Sequence, residues 1–499
     1  MSKTSHRRGV VGVALVALGG LLAACGSTVS QQQLAGGAGD DGGQLAAGSS
    51  TTGPTQGGTL STSTDGSTTT GDRGASGAGP GGGAAGTTGL SSQGSGGTSA
   101  PFPTSPGATV PAGGTVELGF EFTDVSDGVY QSLSGSTASA GNPRAAIAAM
   151  VAYINTHGGL AGRKVRAVVH STPYADALYR PDTAAQEACA DFTQDHHVFA
   201  ASVQTTYEPL VKCLARARAI TVSDVYVLDR DAFRQYAPFY FAPGGMSLNR
   251  GAEAMASRLD AAGWFAHGKV GVLYDETPPF VRAKDSLLAR LRSLGIPVAK
   301  QFGITSPAGD LSGAAAGASN AVLAFRSAGV DRVLAVDRGG GLFYLFSEAA
   351  DGQHYYPEYG LNSNNLLMAQ EGIAPKDQWA NVTAVGWSPY DVSAGPDDKN
   401  ARRDLCRAIL RQAGDAAGSQ LLNCDQALFI KEVVDRAGVP GLGQFDLAVN
   451  RLGGAYASPF VFSTYLAAGR NDGAASVRLA AFDASCSCLH WVSGSSPAS

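Results

Sequence analysis

The chain has 499 residues, 44% hydrophobic and 15% charged, with a formal net charge of −5 at pH 7. A slightly acidic chain with no basic run beyond its first residues is a poor partner for nucleic acid, where Lys and Arg must neutralise phosphates. Beyond the N-terminal apolar run, no stretch approaches the ~20 apolar residues of a membrane helix.

The N-terminus carries Lys3, His6, Arg7 and Arg8, then an apolar run over 10–22, then Leu22-Ala23-Ala24-Cys25. That order is a secretory signal. Its end resembles the bacterial lipobox, which implies a lipid on Cys25 and a place on the extracytoplasmic face of the cell membrane. An ordinary signal peptide with an incidental cysteine is the alternative. Residues 26–114 are almost wholly Gly, Ser, Thr, Ala and Gln. Such a segment cannot bury enough apolar area to offset its ordering entropy, so it reads as a disordered tether or a plain spacer.

The rest of the chain, from about residue 115, is long enough for two domains. Strand-like runs over 116–122, 165–170, 198–203 and 219–223 alternate with helical stretches over 144–157, 183–196 and 207–218. In the first helix Ile147, Met150, Val151 and Ile154 recur at helical spacing. A second series starts near Phe239, with strands over 269–274, 297–302 and 332–336. Its helices include one bearing Leu287, Leu288, Leu291 and Leu294, one over 314–328, and one ending near Ala350. This alternation predicts an α/β protein with two doubly wound parallel sheets. A strand over 382–386 and helices over 402–412 and 425–437 follow, as additions to one of the two units.

Six of the seven cysteines lie beyond Cys25. In an exported chain an even set reads as disulfides. Proximity pairs Cys189 with Cys213, Cys406 with Cys424, and Cys486 with Cys488. Zinc is the rival reading, but no second Cys-x-Cys or Cys-x-x-Cys completes a tetrahedral set. No metal and no cofactor are expected.

The stretch 152–165, Ala-Tyr-Ile-Asn-Thr-His-Gly-Gly-Leu-Ala-Gly-Arg-Lys-Val, resembles a signature of the type I periplasmic binding proteins of the leucine/isoleucine/valine branch. The resemblance implies two lobes joined by three crossovers, with a ligand in a cleft that closes by hinge bending. It further implies lobe 1 over 115–240 and 363–453, and lobe 2 over 241–362 and 454–490. The implied function is capture of a small polar solute, an amino acid or related organic anion, for an ABC transporter permease. A sensor of the same fold, read by a signalling partner, is the alternative, and an adhesive lobe without a cleft is a third. Fold cannot separate these.

Ligand contacts in open α/β sheets come from loops at strand C-termini. In lobe 1 these loops carry Asp124, Ser126 and Tyr130, then Gln204, Thr205, Thr206 and Tyr207, then Ser223 and Asp224. Backbone N–H groups at 204–207 would make a carboxylate site, although Thr205 or Thr206 could serve only as a helix cap. In lobe 2 the loops carry Asp275, Glu276, Phe280, Asp337 and Arg338, the last two before Gly339-Gly340-Gly341. These charges stand either at the cleft edge or as a plain surface pair beside a turn. In the first case Asp337→Ala should weaken binding and leave stability unchanged. The branch's amino-acid binders place a carboxylate a few residues beyond this strand to receive the ligand ammonium, where glycine stands here. No metalloprotease, nucleophile-elbow or phosphate-loop motif occurs beyond the tether, and His196-His197 reads as a polar helix end, so no enzyme is expected.

Overall fold

The computed structural model describes residues 113–126, 141–305, 310–369, 374–392, 399–415 and 418–498. The signal segment with Cys25, the tether apart from Gly113 and Gly114, and Tyr130 lie outside the described residues. The first sheet is built from β1 (Val116–Asp124), β2 (Val165–Pro173), β3 (Ala200–Val203), β4 (Ile220–Val222) and β5 (Tyr240–Phe241). All pairings are parallel, in the order β2-β1-β3-β4-β5. Along β1, Leu118, Phe120 and Phe122 point to one face, where the helices Pro143–Thr156 and Leu421–Ala437 cover them. Gly119 points to the other face, where a Cβ would stand 3.0 Å from the Phe192 ring. Glycine here lets the aromatic side chain lie flat on the sheet.

The helix Pro143–Thr156 starts on the Asn142 side chain, which accepts from Ala145 N–H at 3.0 Å, and buries Ala146, Ile147, Met150 and Ile154. It ends at Gly158 (φ 91°) and Gly159 (φ 64°), both in the left-handed region. A Cβ on Gly159 would fall 2.0 Å from the Arg163 carbonyl oxygen. Asn155 then ties the helix to the start of β2: its Nδ2 donates to Val165 O (2.9 Å) and its Oδ1 accepts from Val165 N–H (2.7 Å). The segment 152–165 is therefore one helix-turn-strand unit, with each of its distinctive residues assigned a geometric task. The helix expected over 183–196 is shorter and interrupted: it runs Pro181–Ala190 and finishes in a π turn, Asp191–Asp195.

The second sheet repeats the first. Strands β6 (Val270–Asp275), β7 (Val298–Ile304), β8 (Arg332–Val336), β9 (Glu358–Asn362) and β10 (Val382–Gly386) are parallel in the order β7-β6-β8-β9-β10. Antiparallel β11 (Ser476–Asp483) and β12 (Cys488–Trp491) extend the β10 edge. Each lobe thus has the doubly wound order whose ligand crevice opens at the strand C-termini. One boundary differs from the sequence expectation. Residues from 363 were expected in lobe 1, but β10 pairs with β9 and β11, and Leu366, Trp379, Val382 and Ala384 pack in the core of the second sheet. The return to lobe 1 comes only after Gly386, since the helix Ala401–Gln412 packs in the first core through Cys406, Ile409 and Leu410.

The chain crosses between lobes three times: between β5 and the helix Leu248–Ala261, between β10 and the helix Ala401–Gln412, and between the helix Leu442–Asn450 and β11. The first and third crossings are joined side by side, with Ala242 bridging to Asp472. Arg250 holds them there, donating to Asp472 Oδ2 (2.6 Å) and Ala474 O (2.8 Å), while Asp472 Oδ2 also accepts from Ser247 N–H (2.8 Å). Both side chains are largely buried, so neither charge is solvated without the other. The structure joins Cys189 to Cys213, Cys406 to Cys424 and Cys486 to Cys488. The first two tie neighbouring helices of lobe 1, and the third closes the turn between β11 and β12.

Candidate functional site

Among the residues singled out at strand ends, those of lobe 1 divide into two sets. After β1, Asp124 is half-buried, accepting from the N–H of exposed Ser126 at 2.9 Å. After β3, three of the four amides expected to be free, those of Gln204, Thr205 and Thr206, have partners. Glu121, buried in the middle of β1, accepts through Oε2 from Gln204 N–H (2.9 Å) and Thr205 N–H (3.3 Å). Gln204 returns the contact by accepting from Thr123 N–H (3.0 Å), and Thr205 Oγ1 sits 3.5 Å from Thr123 Oγ1. Thr206 donates its hydroxyl to Val225 O (2.6 Å) and lies 2.5 Å from Ser223 Oγ; both residues are fully buried. Gln204, Thr205, Thr206 and Ser223 therefore brace the ends of β1, β3 and β4 against one another and do not present hydroxyls to the cleft. An internal carboxylate occupies the position where a ligand carboxylate was expected.

Two lobe 1 residues beyond these do face lobe 2. Asp224, at the end of β4, accepts from Gly244 N–H (2.5 Å) and from Gln426 Nε2 (3.3 Å). Burial, with the nearby Asp425 carboxylate adding to it, pushes its carboxyl up to about 8. Tyr226, two residues on, adopts a left-handed backbone (φ 54°) and packs its ring against the core of lobe 2.

From lobe 2, Phe280 is a core residue, packed with Ala283, Leu287 and Leu291, because the helix Pro278–Ser293 turns that face onto the sheet. Asp275 is buried and accepts from Thr277 N–H (2.7 Å), a local turn that leaves it beside Arg338. Asp337 is 2% exposed and spent within its own lobe. Its Oδ2 accepts from Leu342 N–H (2.7 Å) and Phe343 N–H (3.0 Å), and its Oδ1 accepts from Asn365 Nδ2. Gly339 (φ 67°) and Gly340 (φ 88°) make the left-handed turn that brings the helix Gly341–Gly352 back onto that carboxylate. The glycines thereby complete the helix cap. Arg338 next to it is exposed and crosses the cleft: its guanidinium stands 5.7 Å from the Tyr207 ring centre and 5.5 Å from that of Tyr226.

Beside this contact a cavity lies between the lobes, at the crossings. Lobe 1 supplies Asp224, Tyr226, Gly244 and Leu422, and lobe 2 supplies Ser363 and Asn364 from the end of β9. The crossing segments add Trp387, Ser388, Tyr390 and Asp391 after β10, and Phe460 from the third crossing. Asp391 accepts from Ser363 Oγ (2.5 Å) and Ser388 N–H (3.2 Å), and burial pushes its carboxyl up to about 7. Tyr390 stacks at a tilt on Phe460, centroids 5.4 Å apart. Only Asp224 of this lining was singled out from the sequence. The signal that could have found Ser363 and Asn364 is β9, a five-residue strand with the strand-poor sequence Glu-Tyr-Gly-Leu-Asn. With β9 recognised, the same rule of strand C-termini reaches both residues.

Comparison with known proteins bears on what such a cavity does. A family model described as periplasmic binding protein matches residues 126–482. No curated protein matches the chain in sequence. Solved structures with similar folds include an ABC transporter substrate-binding protein of Aeropyrum pernix, 15% identical, TM-score 0.56, covering 77% of this chain and 96% of that one. A solute-binding protein of Rhodopseudomonas palustris HaA2 in complex with p-hydroxybenzoic acid is 12% identical, TM-score 0.55, covering 77% of this chain and 97% of that one. A substrate-binding protein of Desulfitobacterium hafniense in complex with Leu is 12% identical, TM-score 0.52, covering 76% of this chain and all 100% of that one.

Proposed function

The chain belongs to the periplasmic binding protein family, and from that premise we propose that it is an extracytoplasmic lipoprotein that holds a small polar solute between its lobes and delivers it to an ABC transporter. The observation that carries the reading is the cavity where the end of β4 in lobe 1 meets the end of β9 in lobe 2 and the segment after β10. Each lobe alone contributes half a wall, so the solute is surrounded and its polar groups desolvated only when both lobes meet. The solved relatives named with bound p-hydroxybenzoic acid and Leu are in keeping with this division of labour. Asp224 remains a proposed ligand contact, with Asp124, Ser126, Asp275 and Arg338 proposed as further contacts at the ends of their strands.

Arg338 is the proposed latch. It reaches lobe 1 through the Tyr207 and Tyr226 rings, so it favours the state in which the lobes touch. A ligand that needs both lobes binds in proportion to the population of that state. Native mass spectrometry of the purified full-length mature protein is expected to show a retained small molecule. Arg338→Ala should weaken rebinding of that molecule about tenfold, the ~1.4 kcal/mol within reach of one partly desolvated cation–π bridge. A protein that retains nothing would sink the reading, and unaltered rebinding in Arg338→Ala would remove the latch.

The lipid anchor on Cys25 has its own test. Cys25→Ala is expected to move the protein from the membrane fraction to the soluble one, because a lipobox cysteine carries more than one acyl chain and a single chain binds only marginally. Unchanged membrane retention would remove the lipoprotein part of the proposal and leave the solute site standing.

A further inference from the structure

We infer that the solute held in the cavity between the lobes is a small organic cation, an ammonium compound recognised by carboxylates and aromatic rings, and not a carboxylate. The inference rests on the reading of that cavity as the solute site, and two independent sets of contacts lead to it.

The first is at the end of β3. Of the amides at 204–207 expected to seat a ligand carboxylate, those of Gln204 and Thr205 are taken by Glu121 Oε2, at 2.9 Å and 3.3 Å, and that of Thr206 by Val225 O, at 3.4 Å. Glu121 is 2% exposed and held from the strand interior. A ligand anion brought to this loop would have to displace a buried carboxyl group from its donors and leave it buried without them. The protein has filled this position with its own carboxyl group, which burial pushes above the ordinary carboxylate range.

The second is the lining of the cavity. It holds two carboxylates, Asp224 and Asp391, and the rings of Tyr226, Trp387, Tyr390 and Phe460, and among the described residues it includes no Lys, Arg or His. Carboxylates beside aromatic faces form the usual chemistry for an ammonium head group: rings attract the cation through their quadrupole, and carboxylates supply the opposite charge. Tyr226 has a protein cation over it, the Arg338 guanidinium. Of the nearby arginines, Arg402 is engaged by Glu432 and the Asp425 field, Arg403 by the Tyr390 hydroxyl, and Arg407 acts on that hydroxyl through its charge. Among the described residues, Asp224 accepts from Gly244 N–H and Gln426 Nε2, and an ionised carboxylate can accept about four hydrogen bonds. Both carboxyls are already held well above the ordinary range by burial, as expected of acids that lack a counter-ion. A bound ammonium ion would supply it. The cavity encloses about 70 Å³ as it stands, which suits a compact head group.

The test is calorimetry on the full-length mature protein, stripped of retained solute, with choline and putrescine as ammonium probes and 4-hydroxybenzoate as the anionic one. At least one ammonium probe is expected to bind. Asp224→Asn and Asp391→Asn should each weaken it more than tenfold, as should Tyr226→Leu, which removes a ring and leaves both acids in place. Failure of both ammonium probes overturns the inference. Binding of 4-hydroxybenzoate that strengthens in Asp224→Asn also overturns it, while leaving the cavity as the solute site. An ammonium probe whose affinity is unchanged in all three variants places the solute elsewhere and overturns the reading of the cavity itself.

Discussion

Alanine at position 337 is expected to lower the stability of the ligand-free protein by about 3 kcal/mol, the reverse of what an exposed cleft residue would do. Three donors depend on this carboxylate: the N–H groups of Leu342 and Phe343 and the Asn365 side-chain amide. All lie in buried surroundings, and each buried donor left without a partner costs about 1–3 kcal/mol. The two amides are also the first turn of the helix Gly341–Gly352, whose own N-cap residue, Gly340, has no side chain to offer. Asp337→Asn, which keeps one acceptor oxygen, should lose less. Urea unfolding followed by tryptophan fluorescence reads the difference, since Trp379 packs against Phe343 of the same helix. A midpoint unchanged in Asp337→Ala, accompanied by lost ligand affinity, would return this residue to the binding site.

The contrast between Asp337 and its neighbour shows what the sequence could and could not specify. Local units were legible: the stretch from Asn155 through the Gly158-Gly159 turn to Val165 carries its geometry in residue types that only such a turn requires. The succession of strands and helices was legible for the same reason, since periodicity is a local property. Strand ends were located, but not which way their side chains turn. Asp337 and Arg338 are adjacent, yet one caps a helix and the other crosses the cleft. The occupant of the β3 amides was invisible because Glu121 lies more than eighty positions from them in sequence and reads as an ordinary strand residue. The cavity wall after β9 and β10 was missed because strand order, which puts β10 in the second sheet, is a tertiary fact. Two α/β units are thus written in patterns, the three crossings came with the family resemblance, and the assignment of each polar side chain to brace, cap or ligand contact is settled by distant partners.

The ligand-free protein is also expected to lose stability as pH rises from about 5 to about 8.5. Burial pushes the carboxyl of Asp224 up to about 8, that of Asp391 up to about 7, and those of Asp425 and Asp337 up to about 6. In the unfolded chain these groups titrate near ~3.9. Between the two values the folded state binds more protons than the unfolded one, so stability falls with rising pH. The stabilisation carried by the protonated acids is complete below about pH 4 and is lost as each folded-state value is passed, Asp224 last. The surroundings of Asp224 offer little relief. Asp425 opposes it, itself held by Tyr456 (2.5 Å) and Ser458 (2.7 Å) hydroxyls and the field of Arg402, while Gln426 and Gly244 supply neutral donors. At about 1.4 kcal/mol per unit of displacement, a fall of at least about 2 kcal/mol across this window is expected. Thermal melts at matched ionic strength measure it. Asp224→Asn should flatten the upper part of the curve, above about pH 7, because its amide keeps acceptor and shape and has no proton to lose. A bound cation should flatten the same part by stabilising the ionised acid, and a bound carboxylate should steepen it. A melting curve that is level from pH 5 to pH 8.5 without ligand would mean that these acids find counter-charges in the folded protein.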